Sequence, residues 1–145
     1  MNIEEVVARE GIRDLVARYN SNGDSGRFEH LLELFAPDAV VQIGSHGRDE
    51  VERYEGREAI GTIFTGVRDG MTVPGVMRHH TSTHQIDLVD ADHATGRLYF
   101  AVVTGRGLDH WGRYVDRYVR IEGRWRFAER VVTTEGYAPG SPFRR

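Results

Sequence analysis

Cysteine is absent from the sequence, which excludes disulfides, thiolate metal ligands and a cysteine nucleophile together. No apolar run approaches the roughly 20 residues that a membrane-spanning helix needs. The segment from Met1 to Glu10 is acidic and mixed, which does not fit a signal peptide. A strong charge of either sign is also absent, since the net charge is −3. We therefore expect a cytoplasmic protein with neither nucleic acid nor a membrane as its partner.

Internal repeats and low-complexity linkers are lacking too, and the composition does not shift along the chain. Its 145 residues match the size of one ordinary domain. A domain of this length buries enough apolar surface to need no disulfide or structural metal. We predict a single domain over residues 1–145.

The first half of the sequence has helical patterns. Apolar residues recur at helical spacing from Ile3 to Tyr19, and the polar residues 20–23 predict the end of that helix. A second helix fits residues 25–35, with Ser25 as its N-cap and Pro37 just beyond its end.

A β-hairpin and a third helix are predicted next. Residues 39–43 and 51–55 are β-prone and are separated by the turn-like segment 44–47. The third helix fits residues 56–67, and a loop rich in glycine and proline follows over residues 68–76.

The second half predicts consecutive long strands. Helices followed by strands are typical of an α+β fold, with the helices on one face of a curved antiparallel sheet. Side chains alternate between the two faces of a strand. Gly112, Tyr114, Asp116 and Tyr118 therefore share one face, opposite Arg113, Val115 and Arg117. The predicted strands span residues 78–89, 93–104, 111–121 and 124–134, joined by turns at 90–92, 105–110 and 122–123.

This order of elements, with the residues that fill it, resembles the SnoaL-like branch of the nuclear transport factor 2-like superfamily. The resemblance covers about residues 3–133. It implies a cone-shaped curved sheet, closed by the N-terminal helices around a single pocket for a mostly apolar small molecule. The matching residues are Arg18, Tyr19, Asp24, residues 34–39, residues 54–56, Ala59, Ile60, Arg78, His79, residues 112–114, Asp116, residues 123–127 and Arg130.

The superfamily includes scytalone dehydratase, bile-acid 7α-dehydratase, hexachlorocyclohexane dehydrochlorinase, ketosteroid isomerase, polyketide cyclases and non-catalytic binders, so the fold alone does not fix the function. Asp24 and His79 match the aspartate and histidine that pair in the dehydratases and the dehydrochlorinase. Such a carboxylate fixes the imidazole tautomer and leaves the second ring nitrogen as a base. Taken singly, Asp24 also fits a turn and His79 a structural hydrogen bond.

Further pocket residues follow from the same resemblance. Tyr19 is a candidate donor to a substrate carbonyl or oxyanion, and its alternative role is an aromatic anchor of the first helix. The resemblance to scytalone dehydratase implies that the face with Gly112 and Tyr114 points inward. The other candidate substrate contacts are Tyr54, Trp111 and Thr104, which stands near the place of a second histidine in scytalone dehydratase.

The histidines do not predict a metal site. His79 and His80 are adjacent on a strand and point to opposite faces. His80 and His84 share a face by simple alternation, but no third ligand has a fixed spacing to them. We predict no metal and no cofactor. Ile43 stands where ketosteroid isomerase has its aspartate, which argues against that enzyme's usual base.

The expected activity is that of a cofactor-independent lyase. It would use Asp24, His79 and Tyr19 to catalyse a dehydratase-type elimination on a cyclic, hydrophobic, oxygenated small molecule. A polyketide cyclase or a double-bond isomerase remains open, as do a non-catalytic binding or accessory module and a dioxygenase-type β subunit. The mixed apolar and charged convex face, with Arg113, Val115 and Arg117, predicts a homodimer.

Overall fold

A computed structural model describes residues 1–70 and 76–144, with backbone only for residues 67–70. The chain begins with helix α1, Ile3–Asp24. A capping box starts this helix, because Asn2 and Glu5 each accept the other's backbone N–H at 2.9 Å. Ile12 and Leu15 bury one side of α1 in the core. None of the helices in the described residues combines the length and the apolarity that crossing a membrane requires.

Helix α1 extends beyond the end predicted at residues 20–23. Its last residue is Asp24, and Ser25 closes it as the C-cap, with the hydroxyl donating to the Ser21 carbonyl at 2.6 Å. The prediction that Ser25 caps the second helix is therefore wrong. This extra length places the Asp24 side chain in the final turn of α1.

The second helix is much shorter than predicted. Helix α2 covers only Phe28–Leu32, after Gly26 breaks the chain direction with a φ of 74°. After a turn of two residues, strand β1 covers Phe35–Ser45. Pro37 disfavours helical backbone at Ala36, and Phe35 is fully buried where β1 pairs with Phe127, near the start of the chain's last strand.

The predicted hairpin is confirmed, since strand β2, Val51–Glu55, pairs antiparallel with β1. Helix α3, Gly56–Gly70, is three residues longer than predicted. The Arg57 guanidinium ties α3 to β1 by donating to the Phe35 carbonyl at 2.6 and 2.9 Å. Residues 71–75 of the predicted loop lie outside the described residues.

The four long strands are confirmed to within a few residues at most ends. In the sheet the strand order is β2-β1-β6-β5-β4-β3. Among the described strands the neighbours pair antiparallel, as predicted, except for β1 and β6, which are parallel. The strands are β3, Met77–Leu88; β4, His93–Thr104; β5, Gly107–Ile121; and β6, Arg124–Tyr137.

The connection between β4 and β5 is shorter than predicted. Instead of a loop over residues 105–110, a turn of Gly105 and Arg106 joins the strands. The Thr104 hydroxyl accepts the Arg106 N–H at 3.2 Å and stabilises this turn. As a result Asp109 and His110 belong to β5, and Asp109 is the extra residue where the pairing of β5 with β4 shifts.

The α+β architecture is confirmed, with the N-terminal helices packed on a curved, mostly antiparallel six-stranded sheet. The predicted alternation along β5 also holds, because Gly112, Tyr114, Asp116 and Tyr118 are all buried. Val115, on the other face, is 38% exposed. The inner face of the sheet therefore carries the core and the pocket.

A β-bulge in β3 changes which of its side chains face inward. The pairing with β4 shifts between Ser82 and Gln85, and Thr83 has a φ of 53°. The extra residue turns His84 inward, where its Nε2 lies 3.0 Å from the Tyr118 hydroxyl. The expectation that His80 and His84 share a face is wrong, because the bulge breaks the alternation and leaves His80 exposed.

Candidate functional site

A cavity of about 590 Å³ lies between the helices and the inner face of the sheet. This volume is in the range of small-molecule sites. The wall is largely apolar and aromatic, and a few polar groups interrupt it, among them Asn20, Asp24, His79 and His110. The apolar part includes Phe28, Ile43, Ile63, Phe64, Met77, Phe100, Tyr114, Val132 and Phe143.

Asp24 and His79 meet at this wall. Asp24 Oδ1 lies 2.6 Å from His79 Nδ1, and Asp24 Oδ2 accepts the His79 backbone N–H at 3.0 Å. The two side chains are 10% and 23% exposed. Both carboxylate oxygens of Asp24 therefore bind the same histidine.

Helix α1 and strand β3 create this contact. Asp24 lies at the C-terminal end of α1, next to the first residues of β3, and His79 faces inward while His80 faces solvent. Because an ionised carboxylate can only accept, Nδ1 carries a proton and Nε2 is left for a ligand. Within the described residues no hydrogen bond reaches Nε2 of His79.

Tyr19 lines the cavity and lies on α1 five residues before Asp24. Its ring makes edge contacts with Phe127, Phe35 and Tyr114 at centroid distances of 5.4, 6.0 and 6.3 Å. Burial raises the pKa of Tyr19, and the positive charge of Arg130 partly opposes this rise. The phenol therefore stays protonated at neutral pH, so it is a hydrogen-bond donor.

A buried ion pair supports the tyrosines of the cavity wall. Arg130 is fully buried and donates from Nε and Nη2 to the two oxygens of Asp116, both at 2.8 Å. Its guanidinium lies 4.4 Å from the ring centroid of Tyr19 and 3.8 Å from that of Tyr114. Burial disfavours the charge, but the Asp116 carboxylate outweighs burial and raises the pKa of Arg130. The guanidinium therefore remains charged against both rings.

His110 is a site residue that the sequence analysis missed. It lines the same cavity as His79, and its Nδ1 lies 2.8 Å from Oδ2 of Asp109. It was missed because residues 105–110 were predicted to form a loop, and a loop does not predict which way the His110 side chain points. Its position two residues before Gly112, on the inward face of β5, was the available signal.

Of the four predicted substrate contacts, only Tyr114 is among the cavity-lining residues. Tyr54 lies on β2 and its hydroxyl donates to Glu52 at 2.6 Å. Thr104 stabilises the turn before β5. Trp111 packs on the opposite face of the sheet, against Gly136, because it alternates with the inward-facing Gly112.

The described residues contain no group of three or more histidine, aspartate or glutamate side chains that could hold a metal ion. His84, which the sequence grouped with His79, contacts Tyr118 instead. A site without metal or cofactor stays a prediction.

Comparison with solved structures identifies several similar folds. A scytalone dehydratase-like protein of Novosphingobium aromaticivorans has a TM-score of 0.82 and 24% identity, with 100% of this chain and 94% of that chain covered. LinA has a TM-score of 0.74 and 18% identity, with 99% and 96% covered. A protein of N. aromaticivorans assigned as the β subunit of an aromatic-ring-hydroxylating dioxygenase has a TM-score of 0.76 and 20% identity, with 95% of both chains covered.

At such low identities these likenesses show the fold alone. Comparison with curated protein sequences gives no match. The model of the SnoaL-like domain, by contrast, matches residues 4–131, which is most of the chain and includes Asp24, His79 and His110. The chain belongs to the SnoaL-like domain family.

Proposed function

We propose that the protein is a cofactor-independent lyase that eliminates water from a cyclic, hydrophobic, oxygenated small molecule. The observation that carries the proposal is the hydrogen bond of 2.6 Å between Asp24 and His79 at the wall of a largely apolar cavity. The substrate is a β-hydroxy carbonyl compound, in which the carbon between the two functions is acidic.

The reaction begins with proton transfer from that carbon to Nε2 of His79. Asp24 keeps Nδ1 protonated, so the lone pair of Nε2 is available, and its negative charge stabilises the imidazolium that forms. The electron pair of the broken C–H bond moves toward the carbonyl, whose oxygen accepts a hydrogen bond from Tyr19. The C–O bond to the hydroxyl then breaks, and the imidazolium returns its proton to that oxygen, which leaves as water.

The way Asp24 holds His79 supports this role. One carboxylate oxygen binds the imidazole and the other binds the backbone N–H of the same residue, so the carboxylate cannot turn away without losing both bonds. A base that is fixed in this way needs little reorganisation when the proton moves.

A simple probe substrate tests the proposal. A hydroxytetralone with its hydroxyl β to the ketone becomes a naphthol on loss of water, which absorption and fluorescence detect. We expect His79→Ala and Asp24→Asn each to lower turnover about 10²–10⁴-fold, because each removes the positioned base. The matched controls are His93→Ala and Asp90→Asn, which break a surface His–Asp pair at 2.9 Å and should leave turnover unchanged.

The same variants and the product formed also distinguish the lyase from a binding module, a cyclase or an isomerase. If His79→Ala converts the probe at the native rate, the elimination proposal is wrong and a binding module without turnover is favoured. A product with a new ring or a shifted double bond, but no loss of water, indicates a cyclase or an isomerase that uses the same proton abstraction.

We also propose that two copies of the chain associate through the convex face of the sheet. This face exposes apolar side chains, with Tyr99 55% and Leu108 52% exposed. The ion pair Arg113–Glu135 adds charged groups to the same face, beside Tyr99. Light scattering at micromolar concentration should give the mass of a dimer, and a monomer would exclude this proposal.

A further inference from the structure

His110 is held at the cavity wall by contacts outside the Asp24–His79 pair. Oδ2 of Asp109 accepts hydrogen bonds from His110 Nδ1 at 2.8 Å and from the Ser141 hydroxyl at 2.7 Å. The Asp109 side chain is 7% exposed and that of His110 is 12% exposed. The Phe143 ring lies 4.7 Å from the imidazole, centroid to centroid. The ring of His110 is therefore fixed on two sides before any ligand binds.

The protonation state of His110 follows from these surroundings. Burial lowers the pKa of His110, the Asp109 carboxylate partly offsets this effect, and a charge on His79 lowers the pKa further. The Tyr137 ring stacks on the imidazole of His110 at a centroid distance of 6.0 Å. Neutral His110 keeps its proton on Nδ1, facing Asp109, so Nε2 carries a lone pair and can only accept a hydrogen bond.

No hydrogen bond reaches Nε2 of His110 within residues 1–70 and 76–144. Removing such an acceptor from water without giving it a donor is unfavourable. A ligand that fills the apolar cavity therefore binds better if it carries a donor at this point. A hydroxyl supplies that donor, whereas an ether or a ketone oxygen does not.

We propose that His110 forms a hydroxyl subsite, in which Nε2 accepts a hydrogen bond from an O–H group on the ring of the ligand. The subsite rests on the proposed function in that it occupies the same cavity, and it narrows the substrate class. The substrate then has two separate features: an acidic carbon presented to His79 and a hydroxyl donor presented to His110. Asp109 is a positioning residue, since it orients His110.

The test compares a naphthol with its methyl ether, which has the same ring and a similar oxygen but no donor. Calorimetric titration of the native protein should give about tenfold tighter binding of the naphthol, the value of one well-formed hydrogen bond. In His110→Phe, which keeps an aromatic ring against Phe143, the two probes should bind within about twofold of each other. His93→Phe is the matched control, because His93 pairs with Asp90 on the surface, and it should keep the tenfold preference.

A measurement on the native protein makes the test independent of the folding of the variant. Addition of the naphthol should shift the ¹⁵N resonance of His110 Nε2, and addition of the methyl ether should not. Equal affinity of the native protein for both probes, an unchanged resonance, or a preference that persists in His110→Phe would each overturn the proposal.

The naphthol preference is also measured in His79→Ala. It should persist there, because the subsite does not need the base. A lost preference in His79→Ala contradicts a separate subsite, whereas normal hydroxytetralone turnover in His79→Ala contradicts the elimination alone. The two failures are thus distinguishable.

Discussion

Replacing Asp116 by asparagine should strongly destabilise the fold. The carboxylate accepts two hydrogen bonds of 2.8 Å from a guanidinium that is fully buried, and a third of 2.8 Å from Tyr118. Asparagine keeps the shape but removes the counter-charge, so Arg130 is left as an unpaired charge in the core. Breaking a buried pair in this way costs about 3–5 kcal/mol. This is a large part of the roughly 5–15 kcal/mol that stabilises a typical domain.

Urea unfolding, followed by circular dichroism, measures the effect. With a denaturant dependence of about 2 kcal/mol per M, the midpoint of Asp116→Asn should fall by about 2 M. Asp92→Asn is the matched control, because it breaks the exposed Arg120–Asp92 pair and should cost less than about 1 kcal/mol. A loss below about 1 kcal/mol for Asp116→Asn would refute the reasoning, since the charge of Arg130 would then be compensated elsewhere.

Two further predictions concern the cavity. Tyr19→Phe should lower hydroxytetralone turnover about 10²–10³-fold, because it removes the donor to the carbonyl oxygen while the aromatic ring stays in place. Steady-state kinetics measures this, and an unchanged rate would leave Tyr19 as an aromatic anchor. Burial lowers the pKa values of His84 and His110 from 6.5. As the pH falls, the unfolded chain therefore binds protons before the folded protein does. The free energy of unfolding should for that reason decrease below about pH 6.5. The free energy of unfolding should change by at most about 1.4 kcal/mol per pH unit for each histidine, and by less for the partly exposed His84. Urea unfolding at several pH values measures this, and in His110→Phe the free energy of unfolding should depend less steeply on pH.

The fold was predictable wherever a periodic pattern continues for many residues. The apolar spacing of α1 correctly predicted a helix, and the alternation along β5 correctly placed Gly112 and Tyr114 on one face. That this face points inward was implied by the family resemblance. The predicted ends of helices and strands were wrong where the local sequence and the tertiary contacts favour different structures. Asparagine, serine and glycine end helices in general, but here the last turn continues to Asp24, next to β3. Phe35 fits a helical face, yet its burial against Phe127 places it in a strand.

The candidate site was predictable only in the part that the family resemblance covers. Asp24, His79 and Tyr19 came from matching positions, and the structure brings all three to one cavity. His110 was missed because glycine and aspartate around it are typical of a loop, whereas a turn of two residues leaves it on β5. The bulge at Thr83 has no clear sequence signal, since a β-branched residue rarely adopts a positive φ.

The central claim is that the Asp24–His79 pair removes a proton from carbon. Hydrogen–deuterium exchange of α-tetralone in D₂O tests this step alone, because the compound has an acidic carbon beside its ketone but no leaving group. Proton NMR should show that the native protein accelerates exchange at that carbon, and that His79→Ala and Asp24→Asn lose the acceleration while His93→Ala keeps it. Exchange in His79→Ala at the native rate, or no acceleration by the native protein, would contradict the claim.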